Sequence, residues 1–309
     1  MNFLKPKFWD RQHLTIQSII LYPFTYILDL RKLITIFIKP RKYSNIKTIC
    51  IGNIYLGGTG KTPLVDFIAK IFKKKFKTVI IKKGHASHLD ETKLLRKNNK
   101  VFFAKDREKS LKDAISKKFE LAIFDDGLQD FKLKYDLRIV CFSSLLLAGN
   151  ELRIPSGPLR EKLNNLRNFD AVFINGRNIN RRFLGKIKSI NPHISIFSGE
   201  YVSSNYNKFR KNNYLTFSGI GNPSSFKNIL NKYRIKNKLN LIYPDHYNYS
   251  EFEIKKIKDT AKLQNLKILT TEKDFYRIPI KLRKNINFLK INLKIKKLKE
   301  FEKFILRYL

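Results

Sequence analysis

Glycines at positions 57, 58 and 60, followed at once by Lys61 and Thr62, put a permissive backbone, a mobile cation and a hydroxyl side by side. Glycine lets backbone N–H groups turn inward around an anion with no Cβ in the way. The N-terminus of a following helix adds partial positive charge. A lysine there reaches the β- and γ-phosphates of a nucleotide, and the threonine offers a hydroxyl to Mg²⁺. Gly57, Gly58, Thr59, Gly60, Lys61 and Thr62 are therefore candidate nucleotide-binding residues, for ATP or GTP. The spacing is a variant one. The position five residues before Gly60, usually glycine, is Tyr55, and the preceding glycine is Gly52.

A second group of chemically useful residues follows the apolar run 121–124, which ends in Asp125-Asp126-Gly127. Carboxylates at the C-terminal edge of a strand stand where α/β sheets bind ligands. One of them can hold Mg²⁺ directly or through water, which offsets charge on a transferring phosphoryl group. By itself an Asp-Asp-Gly after a strand is a turn. Its pairing with Gly60-Lys61-Thr62 makes Asp125 and Asp126 candidate metal-holding residues.

These residues need a scaffold, and the hydrophobic pattern supplies one. Strand-like runs at 47–51, 77–81, 101–104, 121–124 and 137–142 alternate with helical segments such as 63–72 and 110–116. Alternation resumes at 171–174, 195–197, 215–217, 239–243, 267–271 and 286–291. A helix over 250–263 opens on the capping-box-like Ser250-Glu251-Phe252-Glu253, and a lysine-rich amphipathic helix closes the chain. The fold class is α/β: a P-loop NTPase-type parallel sheet domain with a second, smaller α/β domain. The turn cluster Pro155-Ser156-Gly157-Pro158 marks the boundary. The division is an N-terminal segment 1–40, a first domain 41–155 and a second 156–309, with the C-terminal helix free to pack on either.

Composition narrows the rest. The 309 residues carry 64 Lys+Arg against 25 Asp+Glu, a net charge of +39. Such a balance fits nucleic acid, anionic membrane or a polyanionic substrate. The lysines are dispersed along the chain, however, as a coding bias towards Lys, Ile and Asn would leave them. No aromatic-basic RNA pattern or helix-turn-helix signal is present, so no specific nucleic-acid partner is expected, and no obligate protein partner either. Cys50 and Cys141 lie far apart in apolar runs and read as reduced, buried thiols of a cytosolic protein. His85 and His88 are three apart without a second ligand pair, so no zinc site is expected.

The N-terminus is apolar and aromatic. Phe8-Trp9 precede residues 14–28, broken by Pro23, and a second apolar piece, 33–38, runs into Lys39-Pro40-Arg41-Lys42. Neither reaches the ~20 apolar residues that span a bilayer, and no small-residue cleavage site marks a signal peptide. The pattern suits a helix lying in a membrane interface, with lysines facing anionic lipid. A helix packed on the core is the competing reading.

Taken in order, the segment from Ile51-Gly52-Asn53 through Gly57-Gly58-Thr59-Gly60-Lys61-Thr62-Pro63, then Asp125-Asp126-Gly127-Leu128-Gln129, resembles the tetraacyldisaccharide 4'-kinases. So do Pro155-Ser156-Gly157-Pro158-Leu159-Arg160-Glu161, Phe217-Ser218-Gly219-Ile220-Gly221-Asn222-Pro223, Tyr243-Pro244-Asp245-His246, Thr270-Thr271-Glu272-Lys273-Asp274 and the early Phe8-Trp9. The resemblance spans nearly the whole chain. It implies ATP- and Mg²⁺-dependent phosphorylation of the 4'-hydroxyl of an acylated glucosamine disaccharide 1-phosphate, giving lipid IVA. The implied location is the cytoplasmic face of the bacterial inner membrane. It further implies that Asp90, in an Asp-Glu-x-x-Leu-Leu-like stretch, is the base and that His246 pairs with it. Glu91, beside Asp90, joins Thr62, Asp125 and Asp126 as a metal candidate. Arg160 and Glu161 are implied at substrate or nucleotide, and Arg107 near the phosphates. A carboxylate oriented by an imidazole can take the proton of a sugar hydroxyl as transfer proceeds. Read from residue type alone, Asp90 is a helix N-cap and His246 a loop residue.

The chain departs from the family pattern in places. Where the family shows Ser-Arg-Gly-Tyr, it has Lys82-Lys83-Gly84-His85, and where Asp-Asp-Gly-x-Gln ends in His it has Asp130. Alternatives of other classes are a P-loop kinase or NTPase acting on a soluble substrate, and a basic nucleic-acid-binding protein.

Overall fold

The structure, a computed structural model, describes residues 5–27, 39–84, 95–96 and 98–309. Asp90, Glu91, His85, His88 and the apolar piece 33–38 lie outside the described residues. The described chain forms two compact units. One contains 5–84, 98–200 and 295–309; the other contains 95–96 and 201–294.

In the first unit, α1 (Ile16–Leu21) precedes β1 (Lys47–Gly52), α2 (Lys61–Phe72), β2 (Thr78–Lys83), β3 (Val101–Ala104), α3 (Arg107–Ser116) and β4 (Leu121–Asp125). Then come β5 (Leu137–Ser143), β6 (Ala171–Asn175), α4 (Arg181–Ile190) and β7 (Ser195–Ser203). β1 lies between β4 and β5, paired parallel to both, with Ile51 opposite Asp125 and Ile139. Strands covered on both faces read as continuous apolar runs. Accordingly, Ile49, Cys50 and Ile51 are fully buried. Alternate β1 and β4 side chains, Cys50 and Phe124, join Val79, Ile81, Leu111 and Ala114 in one core layer. The other layer gathers Ile54, Tyr55, Val140, Phe142, Leu159 and Phe183. Both cysteines are buried free thiols, and burial pushes both thiols up, as expected for inert core residues.

The second unit holds β8 (Asn213–Ser218), α5 (Pro223–Lys232), β9 (Lys236–Ile242), α6 (Glu251–Leu263), β10 (Lys267–Thr271), α7 (Glu272–Arg277) and β11 (Ile286–Leu289). Its sheet has the order β11-β10-β8-β9, all parallel. The Ser250–Glu253 capping box forms as the sequence predicts. Residues 286–291 are not one strand. β11 ends at Leu289, beside β10, and β12 (Ile291–Ile295) joins the eight-stranded sheet β12-β7-β6-β5-β1-β4-β2-β3, ahead of α8 (Leu298–Leu306). Phe301 of α8 stacks edge-on against Phe197, with ring centroids 5.0 Å apart.

The sequence suggests a boundary at 155/156; the compact units divide at 200/201, with 295–309 in the first unit. The physical reason is register. β6 continues the parallel sheet beside β5, with Ile139 opposite Ala171 and Phe142 opposite Ile174, so the proline-rich turn lies inside the unit.

α1 is inverted. Its neighbourhood buries Thr15, Ser18 and Thr25, while Leu14, Ile16, Ile19, Ile20, Tyr22, Phe24, Tyr26 and Ile27 are exposed. A Thr15–Ser18 capping box starts the helix, the Ser18 carbonyl accepts from Ser156 Oγ, and Trp9 Nε1 donates to the Pro155 carbonyl over 3.0 Å. The segment is held through polar atoms and turns its apolar side chains outwards. Among the described residues, no helix is long and apolar enough to cross a membrane.

Gly52 closes β1 where an added Cβ would lie 2.6 Å from Leu128 Cγ. Gly52→Ala is expected to destabilise the fold by about 1–3 kcal/mol. Urea unfolding checks this, and Leu128→Ala in the same chain should recover part of the loss.

Candidate active site

The loop between β1 and α2 is built around Asn53, fully buried. Its amide donates to the Tyr55 carbonyl and, over 3.1 Å, to that of Gly57, while its Oδ1 accepts from Lys61 Nζ at 2.9 Å. Gly60 caps α2 at φ 89°, a left-handed conformation that glycine adopts without steric cost. Lys61 is thereby the first residue of α2 and Thr62 the second. Tyr55, standing where a glycine was expected, is an anchor. Its hydroxyl meets Lys5 Nζ at 2.9 Å and Asp10, and its backbone bridges Leu159. Leu56 N donates to the Pro158 carbonyl at 2.8 Å, and Arg160 N to that of Ile54 at 2.6 Å. This pairing brings the Arg160 side chain to the site.

β4 delivers the carboxylates. Asp125, only 1% exposed, accepts on Oδ2 from Lys82 Nζ at 2.7 Å and from the Thr62 hydroxyl at 3.3 Å. Among the described residues its Oδ1 is buried without a hydrogen-bond partner. Asp126 follows at φ 61°, a left-handed conformation uncommon outside glycine and typical of strained functional turns. Its carboxylate lies 3.2 Å from Lys61 Nζ and 3.1 Å from Arg160 Nη1. Burial alone would raise the Asp126 carboxyl; Lys61 and Arg160 outweigh it and hold the group below its ordinary value.

The set fits a magnesium ion. Mg²⁺ is usually held by one or two carboxylates with nucleotide phosphates and water. Here a threonine hydroxyl and a carboxylate meet, and the carboxylate's second oxygen is orphaned. A buried acceptor without a donor is costly unless a cation or water reaches it.

Arg107, at the start of α3, donates to the Asp126 carbonyl and, over 3.3 Å, to Asp130, so it braces the carboxylate turn. Asp130 ends the block where a histidine was expected from the family pattern, and its carboxylate pairs with this arginine. Glu161 is buried, with one oxygen accepting from Gln129 Nε2 at 2.9 Å and the other from Asn165. Gln129 donates also to the Asn53 carbonyl at 3.0 Å, so Glu161 reaches the loop through Gln129. Four cations near the loop have carboxylate partners: Lys61 and Arg160 with Asp126, Lys82 with Asp125, Arg107 with Asp130.

His246 belongs to the second unit and adopts φ 58° after β9. Its Nδ1 lies 3.3 Å from Arg277 Nη2. Arg277 also donates to Asp274 Oδ1 at 3.0 Å and to the Gly219 carbonyl. Asp274, fully buried, further accepts from Gly219 N and Tyr249 Oη, each at 3.0 Å, and from Thr271 Oγ1 at 2.6 Å. The Thr-Thr-Glu-Lys-Asp block is thus the post on which the Gly219 loop and the imidazole are hung.

Residue-type reasoning missed Asn53, Lys82, Gln129 and Arg277. Asn53 and Gln129 sat inside the recognised blocks as neutral amides with no evident chemistry. Lys82 was noticed only as a departure from pattern. Its position opposite Asp125 requires the strand register, which a sequence does not print.

A loop with a lysine and threonine at a helix N-terminus, facing paired aspartates on the neighbouring strand of a parallel sheet, defines a P-loop phosphotransferase class. The model of the family described as "Tetraacyldisaccharide-1-P 4'-kinase" matches residues 17–309. A tetraacyldisaccharide 4'-kinase of Pelagibacter ubique is 46% identical over 300 residues, covering 96% of this chain and 95% of the relative. One from Rickettsia bellii is 32% identical, covering 90% of each. Among solved structures, the "apo" form of LpxK from Aquifex aeolicus in complex with ATP superposes with a TM-score of 0.71 at 25% identity, covering 95% of this chain and 99% of that one. The chain belongs to the tetraacyldisaccharide-1-P 4'-kinase family.

Removing one of the cations beside Asp126 should release its carboxyl upwards. In Arg160→Gln, the acid limb of the kcat/KM profile is expected to move to higher pH, because the ionised form persists to low pH only while both cations are present. An acid limb at the wild-type pH would show that Asp126 ionisation does not govern it.

Proposed function

We propose that this chain transfers the γ-phosphoryl group of ATP to the 4'-hydroxyl of a tetraacylated glucosamine disaccharide 1-phosphate, giving lipid IVA in lipid A biosynthesis. One observation carries the reading: Lys61, Thr62, Asp125 and Asp126 converge at the C-terminal ends of β1 and β4 in a chain matched by this family over 17–309.

Each side chain has a task in that reaction. Lys61 leaves its resting contacts with Asn53 and Asp126 to meet the β- and γ-phosphates, and backbone N–H groups of the loop from Gly57 to Gly60 face the same anion. Thr62 and Asp125 would hold Mg²⁺, with Asp126 beside them. Bound there, the ion would offset charge on the phosphates and the transferring group. Arg160, paired with Asp126 at rest, would serve a phosphate by its planar fork. Arg107 keeps the turn in place from behind.

Asp90 is assigned as the base for the 4'-hydroxyl and His246 as its orienting partner, with Glu91 an additional metal candidate. The Arg277 contact supports the histidine's part. A guanidinium donating to Nδ1 leaves the proton on Nε2, the nitrogen that can then donate to a carboxylate. Asp90→Ala is expected to lower kcat by about 10²–10⁴-fold. A loss within a few-fold would remove Asp90 from the role.

A peripheral position on an anionic membrane, at the cytoplasmic face of the bacterial inner membrane, completes the proposal. Its support is the outward row Leu14, Ile16, Ile19, Ile20, Phe24 and Ile27, since exposed apolar patches of this kind mark lipid or partner contacts. In flotation with vesicles containing anionic phospholipid, the wild type should float, and a combined Ile16, Ile19 and Ile20 to Ser variant should stay at the bottom. Equal flotation of both would displace α1 as the anchor. The activity itself is tested with γ-labelled ATP and the disaccharide lipid in detergent micelles. Label should enter the lipid with wild type and not with Lys61→Ala; hydrolysis without lipid labelling would assign the loop to a different acceptor.

A further inference from the structure

Lys82 has no part in the reaction as described, yet it touches the carboxylate assigned to the metal. β2 and β4 pair in parallel with Lys82 directly opposite Asp125. The ammonium stands 2.7 Å from Oδ2, with side-chain exposures of 9% for Lys82 and 1% for Asp125. Oδ2 also accepts from the Thr62 hydroxyl at 3.3 Å, whereas Oδ1 is buried without a hydrogen-bond partner among the described residues.

A lysine ammonium is a compact, strongly hydrated charge, and it is buried at large cost unless an anion receives it. Asp125 has the same need for a cation. Each therefore holds the other in place in a poorly solvated pocket. A divalent ion entering between Thr62 and Asp125 must share that carboxylate with a cation already seated on it. Like charges a few ångströms apart in a medium of low effective dielectric repel strongly.

We propose that Lys82 is a resident cation that competes with the divalent metal for Asp125. It holds the carboxylate aimed before nucleotide arrives. It also makes the bare site a weak metal binder, so that the ion enters with the nucleotide phosphates, whose negative charge offsets the repulsion. Lys82 is in this sense a positioning residue that acts through Asp125. The inference rests on the reading that Thr62 and Asp125 hold Mg²⁺.

The test is direct Mn²⁺ binding to the full chain, without nucleotide, followed by the electron paramagnetic resonance signal of free Mn²⁺. Lys82→Met and Lys82→Gln are compared with wild type, Lys82→Arg and Asp125→Asn. The expected result is Mn²⁺ affinity raised on the order of tenfold or more in both neutral variants, near wild type in Lys82→Arg and lost in Asp125→Asn. Glutamine keeps a hydrogen-bond donor to the carboxylate, so it covers the case in which methionine prevents folding. A melting curve gives a second readout. Mn²⁺ should raise the melting temperature of Lys82→Gln more than that of wild type, since at one ligand concentration the tighter binder stabilises more. Wild-type Mn²⁺ affinity in the neutral variants, with Asp125→Asn still abolishing binding, would overturn the competition and leave Lys82 a structural partner. Undiminished binding in Asp125→Asn would instead overturn the metal assignment itself, and this inference with it.

Discussion

Carboxylates buried at the end of a strand must be met by cations, and this requirement organises the first unit. Asp125 and Asp126 close β4 inside the sheet's C-terminal edge, one of them nearly sealed from solvent. Their partners come from three separate places in the chain, Lys61 from the glycine loop, Lys82 from β2 and Arg160 from the Pro-Ser-Gly-Pro block, while Arg107 from α3 braces the turn through the Asp126 carbonyl. Removing one member of a buried charge pair strands the other, which is why such groups act as a unit. A nucleotide site at rest is then a set of ion pairs waiting to be exchanged for phosphates and metal.

The glycine loop follows the same logic. Asn53 satisfies two loop carbonyls with its amide and takes the Lys61 ammonium on its oxygen, so the loop holds its shape before an anion binds. Gln129 fixes the Asn53 carbonyl and is itself fixed by Glu161. Tyr55 gives up the usual glycine and in exchange ties the loop to Lys5, Asp10 and the Leu159 segment. That last tie is what carries Arg160 to Asp126. The N-terminal segment is anchored by the same block through Trp9 and Ser18. Loop shape, arginine placement and the outward apolar row of α1 thus share one set of backbone contacts.

Much of this was legible in the residues. Apolar runs ending in Asp-Asp or in glycines announce parallel strands and their functional edge, and β1, β4 and α2 lie where those runs put them. The capping box at Ser250 was legible for a local reason, since its partners are three residues apart. Non-local facts were not. Pro155 and Pro158 signal a turn, and nothing in their types says that β6 will rejoin the same sheet. Residues 286–291 read as one strand because Leu289 and Ile291 are both apolar, and only pairing assigns them to different sheets. α1 shows the converse. Its apolar side chains were visible, but burial of Ser18 rather than Ile19 depends on the Ser156 contact. Lys82 belongs with these cases, as its partner is forty-three positions away in sequence.

The central claim is that this geometry serves phosphoryl transfer to one hydroxyl of an acylated disaccharide. The position of the new phosphate on the product tests it most directly. Two-dimensional ³¹P–¹H NMR of the purified lipid, after turnover with ATP and Mg²⁺, is predicted to show a second phosphate monoester coupled to the proton at the 4' carbon. A product phosphorylated elsewhere, or unchanged lipid beside released inorganic phosphate, would contradict the account.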